Sequence, residues 1–355
     1  MKRKISQIFL PIIIATSLLS SCTAKETPEL PGIFDFADPV KISERIDALG
    51  EITDTSKLPE IYSLISDCKG LTPSEFASLE NYPEIDKAFE ATVKLFNEEE
   101  IKIKAMSFNV RNGEYGNGRM ELLLSTIIEE SPDVVGLQEV GDEWKPFFKE
   151  NLPEEYTRLG HGRKELGHSE ACYVLFKKDK FELLDSDTIW MTDTPHVCSV
   201  WKDPETGDSG FPRIMTYALL KRKSDGAVFV FANTHLETDD PAQSHQAYWL
   251  TQFLTERFGE QYPIILTGDF NCTEGSSAYN IITEYGFEVT NTYGESKRTF
   301  TGYNEQGGAI IDFCFVNEYI SISSYKVMPE KINDQFVSDH NGIVAEVFVL
   351  PVIYQ

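Results

Sequence analysis

Six short polar clusters, each at or near the end of an apolar run, constrain this chain more than any other feature of it. They are Ser107-Phe108-Asn109-Val110-Arg111, Leu137-Gln138-Glu139, Asn233-Thr234-His235-Leu236, Gly268-Asp269-Phe270-Asn271, Ile311-Asp312-Phe313 and Ser338-Asp339-His340-Asn341. Several of the runs before them are rich in Val, Ile, Leu and Phe, as strands buried between layers are. Functional groups in layered α/β proteins gather where strands end, because the scaffold is rigid there and the loops are free to vary. Carboxylates, carboxamides and imidazoles repeated in that placement predict one site assembled from distant segments.

The pattern around the clusters sets the fold class. Strands are expected over 101–110, 133–138, 171–177, 215–221, 227–234, 263–268, 309–316 and 343–350, and helices over 119–131, 143–151, 244–258 and 276–285. Ala247, Leu250 and Leu254 fall on one face of the third helix, as a helix laid on a sheet requires. Ser224-Asp225-Gly226 between two strands is a hairpin signal. Hairpins mixed with helices point to an α/β fold of two packed, mostly antiparallel sheets flanked by helices, and away from a doubly wound parallel sheet. Residues 101–355 form this domain. Before it, 40–100 reads as a helical appendage without chemistry of its own, with Ile85, Phe89, Val93 and Phe96 at near-helical spacing.

The start of the chain reads as an address. Lys2, Arg3 and Lys4 precede a short apolar stretch, Ile8 to Leu19, which is too short to span a bilayer comfortably and suits a signal peptide over 1–21. Leu19-Ser20-Ser21-Cys22 resembles the bacterial lipobox. That resemblance implies a lipid on Cys22, a tether over 22–39 and a place in the cell envelope, with Thr23 favouring the outer membrane of a Gram-negative bacterium. An ordinary cleaved signal peptide is the alternative. The membrane partner is expected through the lipid anchor only, and the protein as a monomer.

Charge bears on the substrate. The formal net charge is −25, from 57 acidic and 32 basic residues, and loss of the leader's three basic residues takes it to −28. No basic run extends beyond Lys221-Arg222-Lys223, so long nucleic acid, which needs a track of cations for its phosphates, is disfavoured. The cysteines after Cys22 lack any Cys-x-x-Cys spacing, which indicates neither a zinc site nor a disulfide framework. Cys172, Cys272 and Cys314 are expected in strands, as small buried residues.

The cluster residues suit one kind of chemistry. Asn109, Glu139, Asp269, Asn271 and Asp339 offer hard oxygen ligands of the type that fits Mg2+ or Mn2+. A divalent ion polarises phosphate oxygens and supports a leaving oxygen. His235 and His340 can donate to a phosphoryl oxygen or move a proton near neutral pH. Asp312 is placed to orient His340, and Arg111 and Arg213 to neutralise phosphate oxygens. Each cluster alone reads equally well as a turn or a cap. His161, His168, His196 and His245 are read as packing or rim residues.

Taken in order, Asn109, Glu139, Asn233-Thr234-His235, Gly268-Asp269-Phe270-Asn271, Asp312 and Ser338-Asp339-His340 resemble the endonuclease/exonuclease/phosphatase superfamily over residues 101–350. The resemblance implies a four-layered α/β sandwich and metal-dependent phosphoester hydrolysis. It implies Glu139 as main metal ligand with Asn109 and Asp339 close by. Asp269 and Asn271 would position water and the scissile phosphate, with Asp269 a candidate base. His340 paired with Asp312, and His235, would contact the phosphoryl group. Tyr173 and Arg213 match phosphate-contacting positions in some branches, although Tyr173 reads equally as a core aromatic. Arg111 stands where the DNA-repair branch carries a metal-binding Asp. Ile189-Trp190-Met191-Thr192-Asp193-Thr194-Pro195, Trp201, Pro212-Arg213 and Thr299-Phe300-Thr301-Gly302 resemble bacterial secreted members and the deadenylase-like branch. A phosphatase or phosphodiesterase for a small phosphorylated molecule is therefore expected. A secreted nuclease, a lipid phosphodiesterase and a non-catalytic binding module on the same scaffold are the alternatives.

Overall fold

The computed structural model describes residues 38–351 apart from 114, 117, 208, 260 and 296. The leader, Cys22 and the tether up to residue 37 lie outside them. The chain divides into two compact units, one ending at Thr92 and one starting at Val93.

The first unit is helical: α1 (Pro39–Asp47), α2 (Leu58–Lys69), α3 (Pro73–Ala77) and α4 (Pro83–Val93), whose last residue starts the second unit. Local chemistry sets the helix starts. The Asp38 side chain accepts from Val40 N ahead of α1, and Thr72 and Glu75 form a reciprocal capping box on α3, satisfying N–H groups that a helix start leaves without partners. Ile42, Ile46, Ile61, Leu64, Ile85 and Phe89 are buried.

The second unit runs α5 (Glu98–Ile101), β1 (Lys102–Asn109), α6 (Arg119–Glu130), β2 (Val134–Val140), α7 (Trp144–Asn151), β3 (Tyr156–Leu159), β4 (Ala171–Lys177), β5 (Phe181–Trp190), β6 (Ile214–Arg222) and β7 (Val228–His235). It continues α8 (Ala242–Leu254), β8 (Ile264–Asp269), α9 (Ser277–Glu284), β9 (Glu288–Val289), β10 (Asp312–Val316), β11 (Ser321–Val327), β12 (Lys331–Ile332), β13 (Gln335–Phe336) and β14 (Ile343–Phe348). Two six-stranded sheets have the orders β11-β14-β1-β2-β4-β3 and β5-β6-β7-β8-β10-β9, and β12 pairs with β13. Each large sheet is antiparallel except for one parallel pair, β1–β2 in one and β7–β8 in the other.

Side-chain alternation along the strands builds four layers. Ile103, Ala105, Val134, Val174, Phe229, Phe231, Ile265, Cys314 and Ala345 share one core, between the sheets. The alternate residues Met106, Phe108, Val135, Leu137 and Leu175 pack with Leu123, Ile127 and Phe148 of α6 and α7. Val230, Ala232, Ile264, Leu266 and Phe313 pack with Ala247, Leu250 and Leu254 of α8 and with Ile282 of α9.

Six of the described strands fall outside the sequence expectation: β3, β5, β9, β11, β12 and β13. β5 carries Glu182, Asp185 and Asp187 and, like β3 and β11, is the last strand of its sheet. With one neighbour and a half-exposed face it needs no apolar run. The strand expected over 309–316 starts only at Asp312, because Ala309 instead bridges to Phe300. Cys272 is buried as expected but lies past the end of β8, not in a strand, and the five described cysteines are free. Among the described residues no helix is long and apolar enough to cross a membrane.

Candidate active site

Following the inward-facing positions along the central strands leads from an apolar floor to a reactive end. Above the inter-sheet core lies a layer of neutral polar groups: Ser107, Gln138, Asn233 and Thr267, all within 1 % of complete burial. Asn233 Nδ2 donates to the carbonyls of Leu137 and Tyr173 in the opposite sheet, and its Oδ1 accepts from Gln138 Nε2 at 2.6 Å. A Cβ at position 136 would collide with the Asn233 and Thr267 side chains, so the close approach requires Gly136. Asn233, part of a predicted cluster, thus ties the two sheets together.

One step further along the same strands are Asn109, His235, Asp269 and Asp312. Asn109 Nδ2 donates both to Glu139 Oε1 (3.1 Å) and to Asp269 Oδ2 (2.9 Å), while its Oδ1 accepts the backbone N–H of Arg111. In this arrangement Asn109 clamps the two carboxylates together, and its oxygen is spent on backbone. Glu139 reaches the site by a local irregularity. Gln138 faces inward, so plain alternation would send Glu139 outward; the β2–β4 register shifts between Leu137 and Val140, and Glu139 adopts φ +57°. A bulge re-aims the side chain. Arg111 and Asn271 also have positive φ, a backbone cost that non-glycine residues carry mostly at functional positions.

His340 Nδ1 lies 2.8 Å from Asp312 Oδ2, and its Nε2 lies 3.6 Å from Asp269 Oδ2. The Asp312 carboxylate accepts a hydrogen bond from Nδ1–H, which turns Nε2 toward the site. Burial alone would lower the His340 pKa, but the Asp312 and Asp269 charges outweigh it and raise it to about 10. Burial pushes Asp269 up; the His340 charge opposes this, Asp312 adds to it, and the result is about 7. His235 is held well below its ordinary value, first by burial and then by the charges of Arg213 and Arg163. Neutral His235 accepts from Asn271 Nδ2 at 3.0 Å and lies 3.5 Å from Asp269.

Around this center stand residues that position it. Thr299 Oγ1 accepts the N–H groups of Ile311 and Asp312, Phe300 packs on the His340 ring at 4.9 Å, and Thr301 binds the Asp339 carbonyl. Ser338 Oγ ties the same loop to the Asn109 carbonyl. Arg111 lies between Asp339 (3.6 Å) and Glu139 (3.9 Å). Arg213, 6 % exposed, pairs with Glu237 at 3.2 Å and lines a cleft shared with Glu139 and His235.

Tyr173 is the sequence-predicted residue that does not reach the site. On β4, Val174 faces the opposite sheet, whereas Tyr173 packs in the core on the α6–α7 side, with Arg158 over its ring at 4.9 Å. Its role as a phosphate contact is corrected by the strand's alternation. Glu237, Asn112, whose N–H binds Glu139, and Arg163 escaped the sequence reading. They lie on loops, where no periodicity marks them.

The acidic and imidazole groups suit a cation. Glu139, His235 and Asp269 offer ligand atoms within 4.8 Å of one another, as do Asp269, Asp312 and His340. Asp312 Oδ1 is buried without a partner, and the Arg111 guanidinium already draws Glu139 and Asp339 toward one positive charge. Oxygen-rich donors of this kind fit a hard divalent ion.

The family model for the endonuclease/exonuclease/phosphatase family matches residues 106–340. The chain belongs to that family. Endonuclease/exonuclease/phosphatase proteins are hydrolases of phosphoesters and generally use a divalent metal. A Bacteroides vulgatus endonuclease/exonuclease/phosphatase structure is 27 % identical, with TM-score 0.62 over 70 % of this chain and 99 % of that one. A Bacteroides thetaiotaomicron mannosyl-6-phosphatase is 24 % identical, with TM-score 0.61 over 69 % of this chain and 99 % of that one, and shares the fold. Among curated proteins, the Aspergillus niger CCR4-Not complex 3'-5'-exoribonuclease subunit Ccr4 is 24 % identical over 64 % of this chain and 46 % of its own length. Protein angel of Drosophila melanogaster is 26 % identical over 49 % of each chain. The matches span about half the length of these two curated relatives.

Proposed function

We propose that this protein is a Mg2+-dependent phosphoester hydrolase, with Mn2+ able to replace Mg2+, that acts on a small phosphorylated molecule and is held in the cell envelope by a lipid on Cys22. The observation that carries the reading is the chain Asp312–His340–Asp269, buried at the seam of the two sheets and joined through Asn109 to Glu139. Glu139 would hold the ion, with Asn109 and Asp339 beside it. Bound there, the ion supplies charge to the phosphoryl oxygens and the leaving oxygen.

The chain's own residues do the rest. Asp269, with its pKa near 7, accepts a proton from water near neutral pH, and Asn271 helps to place that water. The His340 imidazolium, kept charged by Asp312, donates from Nε2 to the phosphoryl group. His235 stays neutral and contacts the same group beside Asn271. Arg213 neutralises a phosphoryl oxygen from the cleft side.

Substrate size rests on charge. With a formal charge of −25 the protein repels long phosphodiester chains, whereas a small phosphate meets only the local field of the site. Similar proteins include both a mannosyl-6-phosphatase and an exoribonuclease, and the second keeps a nuclease as the competing reading. One panel separates them: sugar phosphates, inositol phosphates, sphingomyelin, RNA and plasmid DNA, each with Mg2+ or EDTA, with His340→Ala as control. Turnover of the small phosphates that EDTA and His340→Ala both abolish is expected. Rapid cleavage of RNA or plasmid DNA by wild type alone would overturn the substrate reading. Turnover that survives EDTA would overturn the metal.

A further inference from the structure

Beside the catalytic cluster is a narrow cleft, with room for about one water-sized group (about 10 Å3), lined by Glu139, Arg163, Glu170, Ala171, Cys172, Arg213, Ile214 and His235. Two guanidinium groups in it are more than nine-tenths buried: Arg163 is 7 % exposed and Arg213 6 %. Each has one carboxylate partner, Glu170 at 2.9 Å for Arg163 and Glu237 at 3.2 Å for Arg213. Neither is satisfied by it, because Arg163 Nε and Arg213 Nη1 are buried without a hydrogen-bond partner. A guanidinium carries five N–H donors, and one left buried and unspent is destabilising.

The arrangement is held rigidly. Trp190 Nε1 donates to the Arg163 carbonyl at 2.8 Å, and the Arg163 N–H binds the Glu170 carbonyl. The Phe211 ring lies against both guanidiniums, 4.7 Å from Arg163 and 5.6 Å from Arg213, while half exposed itself. Its N–H donates to Glu237, so the residue that pairs with Arg213 also fixes Phe211. Each guanidinium is ion-paired yet keeps one buried donor unspent, and an anionic oxygen in the cleft would satisfy both.

We propose that Arg163 and Arg213 form an oxygen-binding subsite that selects a terminal phosphomonoester over a phosphodiester. This deepens the hydrolase reading above and rests on it. Glu139 and His235 belong to both the cleft and the catalytic cluster, so a phosphoryl group at the cluster turns oxygens into the cleft. A monoester brings three acceptor oxygens and a charge of about −1.5 to −2 near pH 7, enough for both forks as well as the cluster. A diester has one charge fewer, and its second ester substituent would have to enter the cleft. There it would cover the two unspent donors with groups that cannot accept from them.

Two measurements on the full chain with Mg2+ test this: kcat/KM for p-nitrophenyl phosphate against bis(p-nitrophenyl) phosphate, and binding of inorganic phosphate followed by the shift in Tm. Wild type, Arg163→Gln, Arg163→Lys and Phe211→Ala are compared, with circular dichroism to confirm folding. Wild type is expected to prefer the monoester by more than tenfold. Arg163→Gln should lower the monoester-to-diester ratio at least tenfold and weaken phosphate binding at least tenfold, with Arg163→Lys restoring part of each. If both esters slow in parallel and phosphate binding holds, the subsite is wrong while the hydrolase reading stands. A wild type that prefers the diester also overturns the subsite. If neither ester is turned over but phosphate binds in an Arg163-dependent way, the subsite stands and the hydrolase reading falls.

Discussion

Two polar layers lie next to each other along the same strands, and they are built on opposite principles. The inner one, Ser107, Gln138, Asn233 and Thr267, is neutral, and Asn233 finds partners for both ends of its amide. The outer one, with Asp269, Asp312, His340 and Glu139, is charged, and Asp312 keeps a buried oxygen without a partner. Both are largely buried. Gln138 Oε1 is also buried without a partner, but it is neutral; a neutral network makes one sheet-to-sheet alignment specific, whereas unbalanced buried charge costs far more stability until a ligand completes it. The first layer therefore serves the fold and the second the reaction. Distance from the strand end separates them by a single inward-facing residue.

That contrast can be broken by substitution. The largest effect is expected for His340→Ala, which should lower kcat by about 10³-fold with little change in Tm; a Tm collapse of the same variant would make His340 a structural residue. Asp312→Asn comes next. It leaves the ring in place but removes the charge that lifts His340 to about 10, so kcat should fall on the order of 10²-fold. The high-pH limb of the pH–rate profile should also move to lower pH. An unmoved limb would detach His340 from Asp312.

Asn233→Ala tests the other layer. It removes one of the acceptors of Gln138 Nε2 and the Nδ2 donor to the carbonyls of Leu137 and Tyr173, and should cost about 2–4 kcal/mol in urea unfolding. Turnover per folded molecule should change far less than in His340→Ala. The smallest effect has the opposite sign. Asp269 binds a proton more tightly folded than unfolded, since its pKa is raised from 3.8 to about 7. Stability of the metal-free protein should therefore fall as pH rises from about 4 to about 7, by this group's share. Asp269→Asn should lower turnover yet raise Tm of the metal-free protein at pH 8, by about 2–4 °C per kcal/mol relieved. Mg2+ should raise the wild-type Tm more than that of the variant. A lower Tm for Asp269→Asn at pH 8 would show that the charge is compensated within the protein.

The sequence by itself determined which residues could do the chemistry and where along the strands they lie. Apolar alternation marks the strand bodies, and polar residues at their ends stand out because nothing in a sandwich core accounts for them. Asn109, His235, Asp269, Asp312 and His340 were legible for that reason, as was the pairing of β6 with β7 through Gly226. Orientation was decided only in three dimensions. Tyr173 and Cys172 are neighbors on β4, yet alternation puts the first in the outer core and the second in the cleft. Glu139 faces the site through a bulge that no local pattern announces. Arg163 comes from a loop and Arg213 from the residue just ahead of β6, and their unspent donors share one cleft because the two sheets stack. Local chemistry sets strand content and residue type, but which side chains share a buried space depends on contacts between segments far apart in the chain.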